Sequence, residues 1–231
     1  MQPDLYRLRI TFAKDGPLQY TSHLDLVRAW ERSLRRGGMG LAYSGGFNPR
    51  PRLQLAAALP LGHTSEAELL DVWLEQSIRT GDFVRALVPV LPAGLTMREV
   101  RQVELKGPAL QTQIASAEYL ATVEWDESRE QVDARVARVL AAEELAHERR
   151  GRRYDLRPLI ERLRLERAGA GKAVLAMQLA ARAGATARPE AVLEILGMGQ
   201  AFARYHRRRL LIRARFDPRT DGQLTKPGDS I

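Results

Sequence analysis

The 231-residue sequence contains no cysteine. This absence excludes disulfide bonds, cysteine nucleophiles, cysteine-ligated zinc sites and iron–sulfur clusters held by the chain's own thiolates. Long apolar runs are also absent, since none approaches the roughly 18–20 residues that cross a bilayer. The first residues do not form a signal-peptide pattern. These absences predict a cytoplasmic protein with no membrane partner.

Lysine is scarce, and arginine supplies most of the 36 basic residues that oppose 28 acidic ones, for a formal net charge of +8. Arginine can bind a phosphate through two N–H groups at once and can stack on bases, which suits a nucleic-acid partner. A GC-rich genome would explain the arginine count equally well. The positions of the arginines are therefore more informative than their number.

Histidine is rare as well, and its four positions show no metal-ligand spacing. The glycine pairs lack the remainder of a phosphate loop or a dinucleotide fingerprint, and no nucleophile elbow is present. We therefore expect neither a metal nor a cofactor.

The first half of the chain has the pattern of a mixed α+β domain. Apolar residues alternate with polar ones from Tyr6 to Phe12, which predicts a strand. Ser22, three residues before Asp25, predicts the N-cap of a helix that ends near Arg36. Further patterns predict a helix at residues 82–91 and strands at 53–59, 69–74 and 95–105. The order βαββαβ is that of a ferredoxin-like fold with an antiparallel sheet.

The same order repeats after Lys106. Strands are predicted at residues 119–125, 145–149, 163–167, 175–181 and 210–216, with one helix ending near Ala142 and another beginning at Pro189. The predicted fold class is α+β, with two tandem ferredoxin-like domains. Their bounds are residues 1–106 and 107–216, and residues 217–231 are predicted to be a disordered tail.

Residues 43–52 form the most distinctive segment, because adjacent glycines and two closely spaced prolines restrict its backbone. Tyr43 and Phe47 supply aromatic rings, Asn48 adds a polar group, and Arg50 and Arg52 supply charge. Aromatic rings interleaved with arginines are typical of single-stranded RNA binding. The alternative is a rigid structural hairpin whose arginines are simply solvated.

The predicted first helix carries Arg28, Arg32 and Arg35 on one face. These arginines are candidates for phosphate contacts, although solvated helix faces of this kind are common. His23 stands at the start of the helix. It is a candidate general acid and base for metal-free RNA cleavage, or else a residue that packs beneath the neighbouring loop.

The second half has basic candidates of its own. Arg153 follows a predicted turn at Gly151, Arg157 lies in the next segment, and Arg207 and Arg209 lie on one face of the last predicted strand. These four arginines are predicted to contact nucleic acid, with a solvated outer face as the alternative. An internal pair between Asp155 and Arg157 is a further alternative.

Four segments resemble those of the radical-SAM-linked domain of unknown function, a family found alone or fused behind a radical S-adenosylmethionine protein. The segments are residues 20–26, 41–52, 59–62 and 155–160, and the resemblance extends from about residue 4 to 216. This sequence differs at Arg50, where the family more often has histidine, and at Gly46, where glutamine is common. The resemblance implies a radical-SAM protein as partner. Without cysteine, the chain cannot bind the radical-SAM cluster by itself.

Together these observations predict a non-catalytic accessory module that binds RNA and is associated with a radical-SAM enzyme. Two alternatives remain open at this point. One is a subunit that docks on a radical-SAM protein through protein–protein contacts alone. The other is a metal-independent endoribonuclease that uses His23.

Overall fold

The computed structural model describes residues 5–213, so the predicted tail at 217–231 and the last residues of the predicted final strand lie outside the described residues. The first half of the chain contains four strands and two helices. Their bounds are β1 (Tyr6–Lys14), α1 (His23–Arg36), β2 (Leu53–Leu55), β3 (Thr64–Leu74), α2 (Thr80–Leu87) and β4 (Leu95–Val103).

The second half is longer and adds a small hairpin. Its elements are α3 (Leu110–Gln113), β5 (Ile114–Glu124), α4 (Arg129–Ala141), β6 (Ala146–Arg149), β7 (Arg152–Asp155), β8 (Ile160–Gly169), β9 (Lys172–Arg182), β10 (Ala185–Thr186), α5 (Pro189–Ile195) and β11 (Ala203–Ile212). The protein is therefore a mixed α+β structure with few helices.

Nine strands join into one sheet that is antiparallel except at one point. In the first half the order of neighbours is β4-β1-β3-β2, and in the second it is β11-β5-β9-β8. The two halves meet where β11 pairs with β3 in parallel, at Thr64 and Ser65. The sequence predicted a sheet for each half, whereas the structure has one continuous sheet.

The merging of the sheets follows from strand lengths that the period-two pattern did not predict. β2 has three residues instead of the seven expected, while β3 begins at Thr64 and β11 at Ala203. The early part of β3 is thus left without a β2 neighbour, and β11 takes that place. Both additions contain buried polar residues, Glu68 and Arg207, which interrupt the apolar alternation.

The first core lies between the sheet and helices α1 and α2. Leu8, Ile10 and Phe12 alternate along β1 and are buried against Trp30 and Leu34 of α1, among others. The Phe12 and Trp30 rings meet edge to face, with their centroids 5.0 Å apart. At the start of α1 the Ser22 hydroxyl accepts a hydrogen bond from the Asp25 backbone N–H at 3.1 Å, so the predicted N-cap is confirmed.

The second core lies against α4 and α5. Val132, Val136 and Val139 of α4 are buried with Leu175 and Met177 of β9. The predicted strand at residues 145–149 is formed as β6, but it pairs with β7 in a separate two-stranded sheet.

The longest helix in residues 5–213 is α1, with 14 residues. No helix in this part of the chain meets the length and hydropathy needed to span a membrane.

Candidate nucleic-acid interface

Residues 43–52, called the arm below, form a hairpin that projects from the sheet edge. Tyr43 and Pro51 form an isolated β-bridge. The Ser44 backbone N–H donates to the Arg50 carbonyl at 2.8 Å, and the Arg50 N–H donates to the Ser44 hydroxyl at 3.0 Å. Gly46 has a φ of 109°, a conformation that favours glycine. The restricted backbone predicted from the sequence is therefore a hydrogen-bonded arm.

The arm exposes its aromatic and cationic side chains. The relative exposure of Phe47 is 106% and that of Tyr43 is 44%, and Asn48 and Arg50 are also exposed. The arm contains no acidic residue. Among the described residues, no carboxylate forms an ion pair with Arg50 or Arg52. The arm thus presents apolar rings and unneutralised positive charge together.

At its base the arm contacts a buried cluster on β1 and β3. The Arg52 guanidinium lies 5.0 Å from the centre of the Trp73 ring, and the Arg7 guanidinium lies 4.7 Å from the same ring. Arg7 and Arg9 both bind Asp71, with their Nε atoms 2.8 and 2.7 Å from its oxygens. We call Arg7, Arg9 and Asp71 the arginine cluster. Arg52 of the arm and Arg7 of the arginine cluster thus contact the same Trp73 ring.

The predicted arginine stripe on α1 is exposed to solvent, and Arg28, Arg32 and Arg35 all lie on its outer surface. Arg28 is partly neutralised, because its Nη1 lies 3.2 Å from Asp25. Hydrogen bonding from Ser22, together with the charge of Arg28, lowers the pKa of Asp25. The stripe is available for phosphate contacts, but one of its three charges already has a partner.

His23 is the first residue of α1 and is exposed. The alternative that it packs beneath the loop is therefore wrong. Within residues 5–213 no hydrogen bond or ion pair to its ring is formed.

Arg207 does not belong to an outer basic face. It is 2% exposed. Its Nε donates to Oε1 of Glu68 at 2.7 Å, and its Nη2 donates to Oε2 of the same carboxylate. Tyr119 and backbone carbonyls complete its contacts. Burial would lower the pKa of Arg207, but Glu68 and Tyr119 outweigh it and raise that pKa above its ordinary value. The prediction that Arg207 contacts nucleic acid is wrong, because a bulge between Arg207 and Arg209 breaks the alternation of β11.

Arg157 is half-buried and acts within the fold. Its guanidinium donates to the carbonyls of Leu140 and Ile160 at 2.9 and 3.2 Å. Asp155 accepts hydrogen bonds from the backbone N–H groups of Leu145 and Arg157, at 2.8 and 2.9 Å. The internal alternative for these two residues is supported, through the backbone of Arg157 and not its charge. The guanidinium of Arg157 is therefore engaged within the fold, and its contact with nucleic acid stays a prediction.

Arg153 and Arg209 are exposed, and each has an acidic neighbour. Arg153 lies 3.3 Å from Glu148, and Arg209 forms two hydrogen bonds with Glu118, at 2.7 and 2.8 Å. The hydrogen bonds and charge of Arg209 lower the pKa of Glu118. The structure therefore does not bring the twelve predicted arginine, aromatic and amide groups together at one site. Of the predicted groups, those of the arm combine exposed aromatic rings with arginines that form no ion pair among the described residues.

Sequence reasoning missed the arginine cluster. The signal was present, because Arg7 and Arg9 lie inside the strand pattern of β1 and Asp71 interrupts the apolar run of β3. Charges at such positions indicate a buried ion pair. In the described part of the chain, no group of three or more metal-ligating side chains could hold a metal ion.

A comparison with protein families finds one match, and it covers most of the chain. Over residues 7–189 the chain matches the family described as an uncharacterized protein conserved in bacteria (DUF2344), and it belongs to that family. No curated protein matches the sequence.

The similarity to solved structures concerns the fold alone. A chain from the crystal structure of a Cbf5-Nop10-Gar1 complex is similar with a TM-score of 0.51 at 10% identity, over 88% of this chain and 48% of that one. Chains from an H/ACA RNP bound to a substrate RNA and from the archaeal box H/ACA sRNP Nop10-Cbf5 complex have TM-scores of 0.45, at 13% and 15% identity. They cover 85% and 87% of this chain, and 46% of each matched chain. The protein spans about half the length of these chains.

Proposed function

We propose that the protein is a cytoplasmic, non-catalytic module that binds single-stranded RNA through the arm. The observation that carries this proposal is the fully exposed Phe47 ring, three residues from an exposed arginine that no described carboxylate neutralises. The ring lies at the tip of a hydrogen-bonded arm, next to cations that form no ion pair among the described residues, and base stacking beside a phosphate contact requires this combination.

RNA matches both components of the arm. Unstacked bases pack on aromatic rings, and each such contact is worth about 1–3 kcal/mol. Arg50 would bind the adjoining phosphate, while Arg52 is held over Trp73 and keeps the base of the arm in place. Single-stranded RNA is favoured over a duplex because its bases are free to stack.

The α1 stripe is proposed as a secondary contact with the RNA backbone. Arg32 and Arg35 have no ion-pair partner among residues 5–213, whereas Arg28 has Asp25. Arg153 and Arg209 contribute less, because an RNA phosphate would have to compete with Glu148 and Glu118.

We further propose that residues 1–106 and 107–216 are two ferredoxin-like units fused through one sheet. The support is the repeated order of neighbours, in which the fourth strand of each half lies beside the first, followed by the third and second. Residues 214–216 lie outside the described part of this second unit.

The link to a radical-SAM enzyme remains a proposal that rests on the sequence resemblance. In that arrangement the partner would supply the cysteine-bound cluster, and this module would hold the RNA. An interaction subunit without RNA and a nuclease that uses His23 are the outcomes against which the proposal is tested.

The test is fluorescence anisotropy with a labelled single-stranded RNA of about 12 nucleotides, across about 50–200 mM salt. Phe47→Ala is expected to weaken binding by about 5- to 150-fold, through loss of one stacked base. Arg50→Gln is expected to weaken it and to lower the salt dependence by about one phosphate contact. Arg138→Gln is the matched control, because it removes the same charge from an exposed position on α4 outside the proposed interface.

Binding that is absent at low salt, or that falls equally in Arg138→Gln and Arg50→Gln, would contradict the proposal. A denaturing gel run in parallel detects cleavage, and cleavage lost in His23→Ala would support the nuclease instead. A protein partner that co-purifies after nuclease treatment, without any RNA affinity, would support the interaction subunit.

A further inference from the structure

A cavity of about 600 Å³ lies at the junction of the two halves. It is enclosed by the end of β4, the connection at residues 104–108, the short α3 and the last residues of β11. Cavities of this volume at the junction of two structural units are typical of small-molecule sites. Neither the arm nor α1 contributes a residue to its lining.

Four arginines line this cavity: Arg7, Arg9, Arg101 and Arg213. Asp71 lies against Arg7 and Arg9, and among residues 5–213 Glu104 is the acidic residue that lines the cavity. Four guanidinium groups thus face two carboxylates, an excess of two positive charges. Such an excess in a partly enclosed space favours an anion, because the surrounding protein screens the charges less than water does.

The arginine cluster forms the floor of the cavity and is only partly neutralised. Arg9 is 5% exposed, and Asp71 accepts hydrogen bonds from its Nε and Nη2 at 2.7 and 2.9 Å. Its Nη1 reaches no acid among the described residues and donates to the amide oxygen of Gln113 at 3.2 Å, an oxygen that Nη2 shares at the same distance. Arg7 directs its remaining N–H groups to the carbonyls of Gly107 and Pro108, at 3.0 and 2.9 Å. Arg9 is therefore the buried donor that an anion could reach by displacing a neutral amide.

Arg101 and Arg213 stand at the rim and are exposed. In the described part of the chain, neither guanidinium forms an ion pair or a hydrogen bond. Arg101 lies opposite Arg9 in the pairing of β1 with β4, and the backbone N–H of Arg213 donates to the Gln113 carbonyl at 2.8 Å. Both residues are anchored by their backbones while their charged ends stay available.

We propose that this cavity binds a phosphomonoester of about nucleotide size. A phosphomonoester carries a charge of about −1.5 to −2 at neutral pH and offers three acceptor oxygens, which suits an excess of two guanidinium groups better than a single carboxylate does. Arg9, Arg101 and Arg213 would surround the phosphate. Val103, Pro108 and Ile212 give the lining an apolar part for the organic group.

The test is isothermal titration calorimetry on the full chain with inorganic phosphate and with adenosine monophosphate. Acetate and adenosine serve as reference compounds that lack the dianion. Arg101→Gln and Arg213→Gln are each expected to weaken phosphate and nucleotide binding about tenfold or more. Arg98→Gln is the matched control, since it removes an exposed arginine from the same strand, β4, outside the cavity lining.

Binding of acetate as tight as that of phosphate would overturn the assignment to a phosphomonoester. Equal losses in Arg98→Gln and Arg101→Gln would overturn the assignment to this cavity. The phosphate could belong to a free metabolite or to an RNA end, and RNAs with 5′-phosphate and 5′-hydroxyl ends distinguish these sources. Phe47→Ala is expected to leave phosphate binding unchanged, so this proposal and the RNA proposal fail independently.

Discussion

Arg207 and Glu68 form a buried ion pair between the two halves, with side-chain exposures of 2% and 3%. Neither charge can be rehydrated if its partner is removed, because both lie inside the junction. Lys14 is close by, and burial and Arg207 lower its pKa while Glu68 partly opposes that effect. Glu68 therefore compensates more than one buried cation.

Replacement of Arg207 by alanine is expected to lower the free energy of unfolding by about 3–5 kcal/mol, since it leaves Glu68 buried without a counter-charge. Urea denaturation measures the change. The control is Arg209→Ala, whose exposed pair with Glu118 is expected to contribute less than about 1 kcal/mol.

A double replacement, Arg207→Met with Glu68→Leu, is expected to recover much of the lost stability because no unpaired charge remains. If Arg207→Ala and Arg209→Ala cost the same, the structural role assigned to Arg207 is incorrect. Its exclusion from the RNA interface would then have to be reconsidered.

At the scale of elements, α5 connects two distant segments through carboxylates one helical turn apart. Glu190 lies 3.0 Å from the His63 ring, and Glu194 lies 2.7 Å from the His147 ring. The buried His63 ring also stacks on Tyr205, with centroids 4.8 Å apart. Burial, and then the charges of Glu190 and Glu194, raise the pKa of Tyr205 to about 12.

The Glu190 contact is expected to make stability depend on pH. Burial would raise the pKa of Glu190, but hydrogen bonds from His63 and the backbone outweigh it, and that pKa lies below its ordinary value of 4.5. A lowered pKa stabilises the folded state above 4.5, and this contribution is lost as the pH falls through the folded-state pKa. The unfolding free energies of the native chain and Glu190→Gln should thus differ most above this range and converge below it.

Thermal unfolding across a pH series measures this difference, with Glu144→Gln as the control at an exposed position after α4. A difference that stays constant from neutral to acidic pH would show that Glu190 acts through packing and not through its charge.

Elements with strong local signals were predictable from the sequence. The N-cap at Ser22 and the Pro189 start of α5 match the structure, and the glycines and prolines of the arm indicated a fixed loop. The extents of β3 and β11 were not predictable from the alternation of apolar and polar residues. Glu68 and Arg207 are charged and so indicate exposed positions, although both are buried. The cavity was not predictable either, since Arg9, Gln113 and Arg213 meet only through the tertiary fold.

At the scale of the whole molecule, the two halves share more than a strand edge. Ala56 and Leu69 come from the first half but are buried in the second core. Arg7 binds the carbonyls of Gly107 and Pro108 beyond the boundary predicted at residue 106. The predicted boundary therefore separates two halves that share core residues and hydrogen bonds, and each half contributes to the stability of the other.

Residues 1–106 alone are therefore expected to be much less stable than the full chain. The fragment would expose Leu69, leave Glu68 without Arg207 and free the N–H groups of Arg7 that bind the connection. Circular dichroism and urea denaturation of the fragment and the full chain measure this. A fragment that unfolds cooperatively at a urea concentration close to that of the full chain would show that the halves are independent.

The shortness of β2 also has a consequence for synthesis on the ribosome. The part of β3 at Ser65 receives its neighbour from Arg207, 142 positions later in the chain. Until that last strand emerges, the nascent protein carries an uncovered strand edge beside a charged Glu68. Contacts so distant in sequence slow folding, and an uncovered edge invites pairing with other chains. A carboxylate at that edge would discourage such pairing until Arg207 arrives to neutralise it.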